Sequence, residues 1–325
     1  MNYNIYMLAV LIIAFILALI LTKKLIPKLK EVAKQPIYKE GPSWHLSKSG
    51  TPTMGGMGFI ISISVIALIS ALLMFFSARS EWFSIIFTLA FALCNSLIGV
   101  IDDITKLRRS ENGGLTAKQK IVLQALFSVL FLIGRSFIFN DGTEIHFGNY
   151  TLDLGIAYYP LALIMLLGII NCANLTDGVD GLASTVAFTI CTFLFIVSIG
   201  INVEVALLSI ATAGSILGFL VFNIHPAKIF MGDTGSLFLG ALIASMSFSL
   251  RAIPSVLTVS AVYIIEGVSV ILQVLYYKRT KKRLFKMAPL HHHLEKSGYD
   301  ESTICIMGIL ATIVASLLSY MIFPR

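Results

Sequence analysis

Apolar stretches close to twenty residues long follow one another along the whole chain. Each is about as long as an α-helix must be to cross a ~30 Å hydrocarbon core. Ten are predicted, at about 4–22, 57–77, 82–101, 119–134, 157–171, 181–200, 203–222, 235–250, 255–277 and 303–323. The fourth and fifth are short and are expected to be tilted or partly buried in protein. Of the 325 residues only 13% are charged against 57% hydrophobic, far from the balance of a soluble domain. No interval is long enough to hold a separate soluble domain, so 1–325 is expected to form a single polytopic domain. The expected fold class is an all-α integral membrane protein of about ten transmembrane helices. Any chemistry must then be built from helix ends and loops.

Alternating sides along ten spans sorts the charges sharply. Of the 24 Lys and Arg, only Arg79, Arg135, Arg251 and Arg325 fall on one face. Lys23 to Lys48, Lys106 to Lys120, Lys228 and Lys278 to Lys296 fall on the other. Positively charged loops stay inside, so the rich face is expected to be cytoplasmic, with both termini outside. The first span follows a nearly uncharged stretch, Met1 to Met7, with no small-residue cleavage site after it, and a removable signal peptide is not expected. On the outer face, Phe137 to Phe147 alternates around Asn140-Asp141-Gly142, which reads as a small β-hairpin capping the bundle. Cys94, Cys172, Cys191 and Cys305 lie in or beside apolar spans without metal-ligand spacing and read as packed thiols.

Ionisable groups beside hydrocarbon are costly and usually functional. Here Asp102-Asp103, Asp177 with Asp180, Asp233 and His291-His292-His293 all fall on the lysine-rich face. The first basic loop ends in Ser47 to Gly56, whose hydroxyls and glycines precede a helix and can aim backbone N–H groups at phosphate. Asp102 and Asp103 are followed by Lys106, Arg108, Arg109, Lys118 and Lys120, and paired carboxylates beside lysines suit Mg²⁺ and phosphate together. Asn171, Asn174, Asp177 and Asp180 recur every third residue, one polar stripe if helical; a capped helix end is the plainer alternative. Asp233 starts a helix, where its charge is favoured, and a simple N-cap explains it equally well. Three successive histidines cannot all point one way, so one or two are expected to face a ligand. A metal site there is the lesser reading, because metal-binding pairs usually sit farther apart.

Six segments together resemble the phospho-N-acetylmuramoyl-pentapeptide transferase family, within the polyprenyl-phosphate N-acetylhexosamine-1-phosphate transferases. They are SGTPTMGG (49–56), GVIDDITK (99–106), LTAKQK (115–120), NCANLTDGVDGLA (171–183), FNIHPAKIFMGDTGSL (222–237) and MAPLHHHLE (287–295). Their order and the number of spans agree over essentially the whole chain, and the histidine triplet favours the muramoyl-pentapeptide branch. The resemblance implies a Mg²⁺-dependent transfer of phospho-N-acetylmuramoyl-pentapeptide from its UDP-linked form to undecaprenyl phosphate, giving lipid I and UMP in the bacterial cytoplasmic membrane. Its partners are those two substrates and membrane lipid; no nucleic acid enters the scheme, and a homodimer is compatible with it.

By that resemblance Asp102, Asp103, Asp233 and His291 are expected to be catalytic, with Asp233 the metal ligand and Asp102 the base or nucleophile-orienting group. A covalent aspartyl intermediate is the competing mechanism. Lys48, Thr53, Lys106, Lys118, Asn171, Asn174, Asp177, Asp180, Asn223, Phe230, Gly232 and His292 are expected to bind substrate, Phe230 by stacking on uracil. Glu266, the only acid in the middle of a predicted span, is expected at a helix break lining a prenyl groove, or else as a buried carboxyl bonded to a neighbouring helix. An N-acetylglucosamine-1-phosphate transferase is the runner-up. A lipid-linked substrate transporter is the alternative of another class, disfavoured because transporters place ionisable groups near the bilayer midplane.

Overall fold

An apolar helix satisfies every backbone amide internally, the condition for crossing hydrocarbon, and the predicted runs do fold as helices. The computed structural model describes residues 3–33, 48, 50–109 and 114–323. Lys34, Lys39, Ser47, Ser49 and Arg325, which enter the readings above, lie outside the described residues. In order, the helices are α1 (Tyr3–Val32), α2 (Gly56–Phe76), α3 (Glu81–Arg109), α4 (Ala117–Ile138), α5 (Tyr158–Thr176), α6 (Leu182–Ser198), α7 (Val203–Asn223), α8 (Gly232–Ser249), α9 (Ile253–Val259), α10 (Ala261–Thr280), α11 (Leu290–Glu295) and α12 (Glu301–Ile322). Two strands, β1 (Glu144–Phe147) and β2 (Tyr150–Asp153), lie between α4 and α5.

Among the described residues eight helices are long and apolar enough to cross a membrane: α1 to α5, α7, α10 and α12. The other two expected spans are α6, apolar but only 17 residues long, and α8, whose 18 residues mix glycine and hydroxyl groups into an apolar run. Both are enclosed, α6 against α7 and α12, α8 against α3 and α5. Protein rather than lipid surrounds them, so they need no lipid-facing composition. The fourth and fifth spans are not short: α4 has 22 residues and α5 has 19. Their polar inner ends, with Lys118 and Lys120 in one and Asn171 and Asn174 in the other, continue the helices.

α7 is buried along nearly its whole length and α1 packs closely across it. Gly214 and Gly218 make that approach possible. A Cβ on Gly214 would fall 2.9 Å from Ala14 Cβ, and one on Gly218 would fall 2.8 Å from the Leu19 backbone N and 3.1 Å from Ala18 Cβ. Small residues four apart on both helices let the backbones touch where no hydrophobic force draws helices together in lipid.

Two further expectations are corrected. The ninth span is broken at Ser260, between α9 and α10, rather than at Glu266; neither glycine nor proline marks the place. The hairpin turns at Gly148-Asn149, with Phe147 opposite Tyr150 and Glu144 opposite Asp153. The Asn140-Asp141-Gly142 stretch only closes α4: Asp141 accepts from Arg135 Nε at 2.6 Å, and its N–H donates to the Arg135 carbonyl. Phe137 to Phe139 alternated for a different reason, since α4 runs to Ile138 and Phe139 stacks on Phe83.

At this hairpin end Glu204, in the first turn of α7, is buried. It accepts from the hydroxyls of Ser84, Thr88 and Ser249. Arg135 donates to the same Ser249 hydroxyl at 3.1 Å.

Candidate active site

Asp102 and Asp103 sit near the end of α3, and Gly99, one turn earlier, sets where that end lies. A Cβ on Gly99 would fall 2.6 Å from the Thr234 backbone N and closer still to the Asp233 carbonyl. Glycine therefore lets α3 touch the first turn of α8. Gly56 does the same from α2: a Cβ there would stand 2.8 Å from the Gly235 backbone N.

Being adjacent on a helix, the two aspartates point in different directions. Asp103 faces α8, where its Oδ2 accepts from the Thr234 N–H at 2.9 Å and the Thr234 hydroxyl at 2.7 Å, and its Oδ1 from the Asp233 N–H at 3.3 Å. The residue at the N-cap position, Met231, supplies no side-chain cap, so Asp103 caps α8 from another helix. Asp102, wholly buried, faces α4. Its Oδ1 accepts from the Leu115 N–H at 2.7 Å, and its Oδ2 lies 2.7 Å from Lys106 Nζ and 2.8 Å from Lys120 Nζ. Both lysines also reach Asp233 Oδ2, at 3.2 and 2.6 Å. A capping box between Thr116 and Gln119 starts α4 and so places Lys120.

Asn174 donates to Asp233 Oδ1 at 3.0 Å and to the Ser236 hydroxyl at 2.8 Å. Asp177 follows the end of α5, where its carboxylate accepts from the Gly232 N–H. Burial first, and then Asp233, Asp103 and Asp180, push its pKa well above the usual carboxylate range. Ligand atoms of Asp102, Asp103 and Asp233 lie within 4.8 Å of one another. Among the described residues these three carboxylates face the ammonium groups of Lys106 and Lys120, an oxygen-rich cluster suited to a divalent cation.

The structure splits the predicted polar stripe. α5 ends at Thr176, so only Asn171 and Asn174 share its face, and Asn171 donates to Gln124 of α4 at 2.7 Å. Asp180 belongs to a second cluster. Lys48 Nζ lies 2.7 Å from both Asp180 and Glu301, and His225 Nδ1 is 3.1 and 3.4 Å from the same two carboxylates. Ligand atoms of Asp180, His225 and Glu301 also approach within 4.8 Å, but the Lys48 ammonium already supplies a cation there. Sequence reading missed Glu301, because it sits just behind the N-cap Asp300 and looks like an ordinary helix start.

Thr53 is buried beside Gly232: a Cβ on that glycine, whose φ is +71°, would fall 2.7 Å from both Thr53 Oγ1 and Asp103 Oδ2. Asn223 is buried, accepting from Ser184 at 2.8 Å and donating to the Ile229 carbonyl at 3.0 Å, which fixes the loop carrying the half-exposed Phe230. Lys118 is exposed, and Lys120 is the lysine of α4 that enters the cluster. Within the Ser47 to Gly56 segment the N–H groups of Thr51, Thr53, Gly55 and Gly56 donate to the carbonyls of Lys48, Ala33, Phe230 and Met231. The histidines diverge as expected. His291 is buried against Glu266, His292 meets Glu295 at 2.6 Å, and His293 Nδ1 accepts from the Lys286 N–H at 3.1 Å.

The sequence pattern of glycosyl transferase family 4 matches residues 82–251, which include both aspartate pairs and Asp233. The chain is 41% identical over 318 residues to a phospho-N-acetylmuramoyl-pentapeptide-transferase of Clostridium botulinum (strain Alaska E43 / Type E3), covering 96% of this chain and 95% of that one. A protein of the same name from Caldicellulosiruptor bescii is 42% identical over 311 residues, 95% of each chain. The one from Staphylococcus carnosus (strain TM300) is 41% identical over 322 residues, 95% of this chain and 98% of that one. Near full-length identity at this level, on top of the converging aspartates, places the chain in the phospho-N-acetylmuramoyl-pentapeptide transferase family.

Proposed function

We propose that this protein transfers phospho-N-acetylmuramoyl-pentapeptide from UDP to undecaprenyl phosphate, forming lipid I and releasing UMP in peptidoglycan synthesis. The observation that carries the reading is the convergence of Asp102, Asp103 and Asp233 with Lys106 and Lys120 at one end of a lipid-facing bundle. One substrate is a soluble polyanion and the other a phosphate on a lipid tail, so they meet only at a membrane surface. The lysine-rich loops support the cytoplasmic face of the bacterial cytoplasmic membrane as that surface, with both termini outside.

The residues divide the work. Asp233, with Asp102 and Asp103 beside it, would hold Mg²⁺, which supplies neutralisation of the diphosphate and of the leaving UMP oxygen. Lys106 and Lys120 are the fixed cations that let two polyanions approach. A phosphate monoester has a second pKa near ~6, so the lipid phosphate is already mostly ionised at neutral pH. Its oxygen attacks the phosphorus bonded to the sugar, and the bond from that phosphorus to the UMP oxygen breaks. No strong base is needed. Asp102, buried and tied to Leu115 and two lysines, serves to hold those lysines. Its enclosure favours direct transfer over a covalent aspartyl intermediate. Asp103 orients the first turn of α8 and thereby Asp233. Asn171, Asn174, Asp177, Asp180, Lys48 and Phe230 are assigned to binding the nucleotide part of the donor.

Purified protein offered each nucleotide sugar with undecaprenyl phosphate and Mg²⁺ tests the reading. UMP release is expected from UDP-N-acetylmuramoyl-pentapeptide and not from UDP-N-acetylglucosamine. Equal release from both would move the chain to the broader transferase group.

A further inference from the structure

Glu266 lies in the sixth position of α10, buried, and it does not mark a helix break. The chain that leaves α10 turns back along it, and two acceptors on one face of the helix take its amides. Gln273 Oε1 accepts from the Leu284 and Phe285 N–H groups at 3.1 and 2.9 Å. Seven residues earlier, on nearly the same bearing, both oxygens of Glu266 receive the His291 N–H at 3.2 Å. The same carboxylate lies 3.2 Å from His291 Nδ1. Glu266 thus grips both the backbone and the ring of one histidine.

The other ring nitrogen has the opposite situation. His291 is 1% exposed, and its Nε2 has no hydrogen-bond partner among the described residues. It presses on Gly178, directly after Asp177: a Cβ on that glycine would fall 2.9 Å from His291 Cε1 and closer still to Nε2. Only glycine accommodates the ring there. Both Glu266 oxygens already accept from the His291 backbone N–H, so the carboxyl group is assigned as acceptor toward the ring as well, with the N–H on Nδ1 and the lone pair on Nε2.

We propose that Glu266 is a positioning residue for transfer. It locks His291 in the Nδ1–H tautomer and so holds the ring, and with it the Asp177–Gly178 turn, in place beside the aspartate cluster. The effect on transfer rests on the function proposed above; the locked tautomer does not. The logic is that of a buried carboxylate behind a catalytic histidine, which acts by orientation and choice of tautomer rather than by taking the proton.

Glu266→Gln separates this role from simple packing, because glutamine is the same size and offers either an N–H or a carbonyl to Nδ1. Histidine ¹⁵N spectra of the full-length protein in detergent, assigned with His291→Asn, read the tautomer without substrate. Wild type should show Nε2 as the unprotonated nitrogen, and Glu266→Gln should show that signal lost or shared between the nitrogens. With UDP-N-acetylmuramoyl-pentapeptide and undecaprenyl phosphate, kcat should fall about 10–100-fold with KM for the nucleotide within about threefold. Glu266→Asp should recover part of the loss, and the melting temperature of the Gln variant should stay at the wild-type value. An unchanged tautomer in Glu266→Gln, or a loss of turnover that follows a loss of stability, overturns the proposal. A tautomer switch in a protein that releases no UMP from this donor would instead sink the substrate assignment and leave the dyad standing.

Discussion

The two ends of the bundle both bury carboxylates, and they settle them differently. At the hairpin end three hydroxyls from α3 and the end of α8 point at Glu204, and Arg135 is shared between Ser249 and Asp141. Both of these buried charges, Glu204 and Arg135, have partners. At the other end Asp102, Asp103 and Asp233 crowd within 4.8 Å, with Asp177 close enough to feel two of them, around Lys106 and Lys120. A satisfied buried ion serves the fold, whereas like charges held together work against it and persist because something else is gained. The glycines repeat the lesson. Gly214 and Gly218 bring α1 onto α7 in the bilayer interior, while Gly99 and Gly56 bring α3 and α2 onto the first turn of α8, where proximity concentrates charge.

The contrast predicts that activity and stability separate by location. Asp233→Asn should lower turnover the most, by about 10³-fold or more, measured as UMP release at saturating Mg²⁺. Its melting temperature in detergent should change little, since relief of repulsion from Asp102 and Asp103 offsets the lost pairing with Lys106 and Lys120. A large loss of stability would mean that the aspartate end is a structural network like the other.

The lysines give the next largest effect and a control two residues away. Lys120→Ala should cost about 10²-fold in turnover, because Lys120 bridges Asp102 and Asp233. Lys118→Ala, on the exposed side of α4, should stay within about twofold. Equal losses would show that substrates meet the outer face of α4 instead of the cluster.

Lys118 also marks where the sequence stopped being informative. Spacing identified a lysine-bearing loop beside two aspartates, but the capping box at Thr116 decides which lysine turns inward, and that requires knowing where α4 begins. The spans, the segregation of charge and the roster of acids were legible because hydropathy and charge are local properties of the chain. Partners across long separations were not: Lys48 with Glu301, Asn171 with Gln124, and Glu266 with His291 each join distant segments. The break in the ninth span was misplaced to Glu266 because Ser260 has no glycine or proline beside it. The hairpin turn was misplaced because Asp141-Gly142 carries a turn signal that an ion pair to Arg135 absorbs.

The smallest effect comes from the hairpin end, and it is the converse of the first. Glu204→Ala leaves the buried Thr88 hydroxyl and the half-buried hydroxyls of Ser84 and Ser249 without their shared acceptor, which should cost about 1–3 kcal/mol of stability. A lowered melting temperature reads that loss, while turnover per folded molecule should match wild type. Glu204→Gln keeps one acceptor oxygen and should fall between the two. If Glu204→Ala left the melting temperature alone and slowed UMP release, the bundle would be coupled along α8 from one end to the other. α8 reaches from the Asp103 cap to the Ser249 hydroxyl, so it is the element through which such coupling would run, and the proposed division between a structural end and a chemical end would fail there.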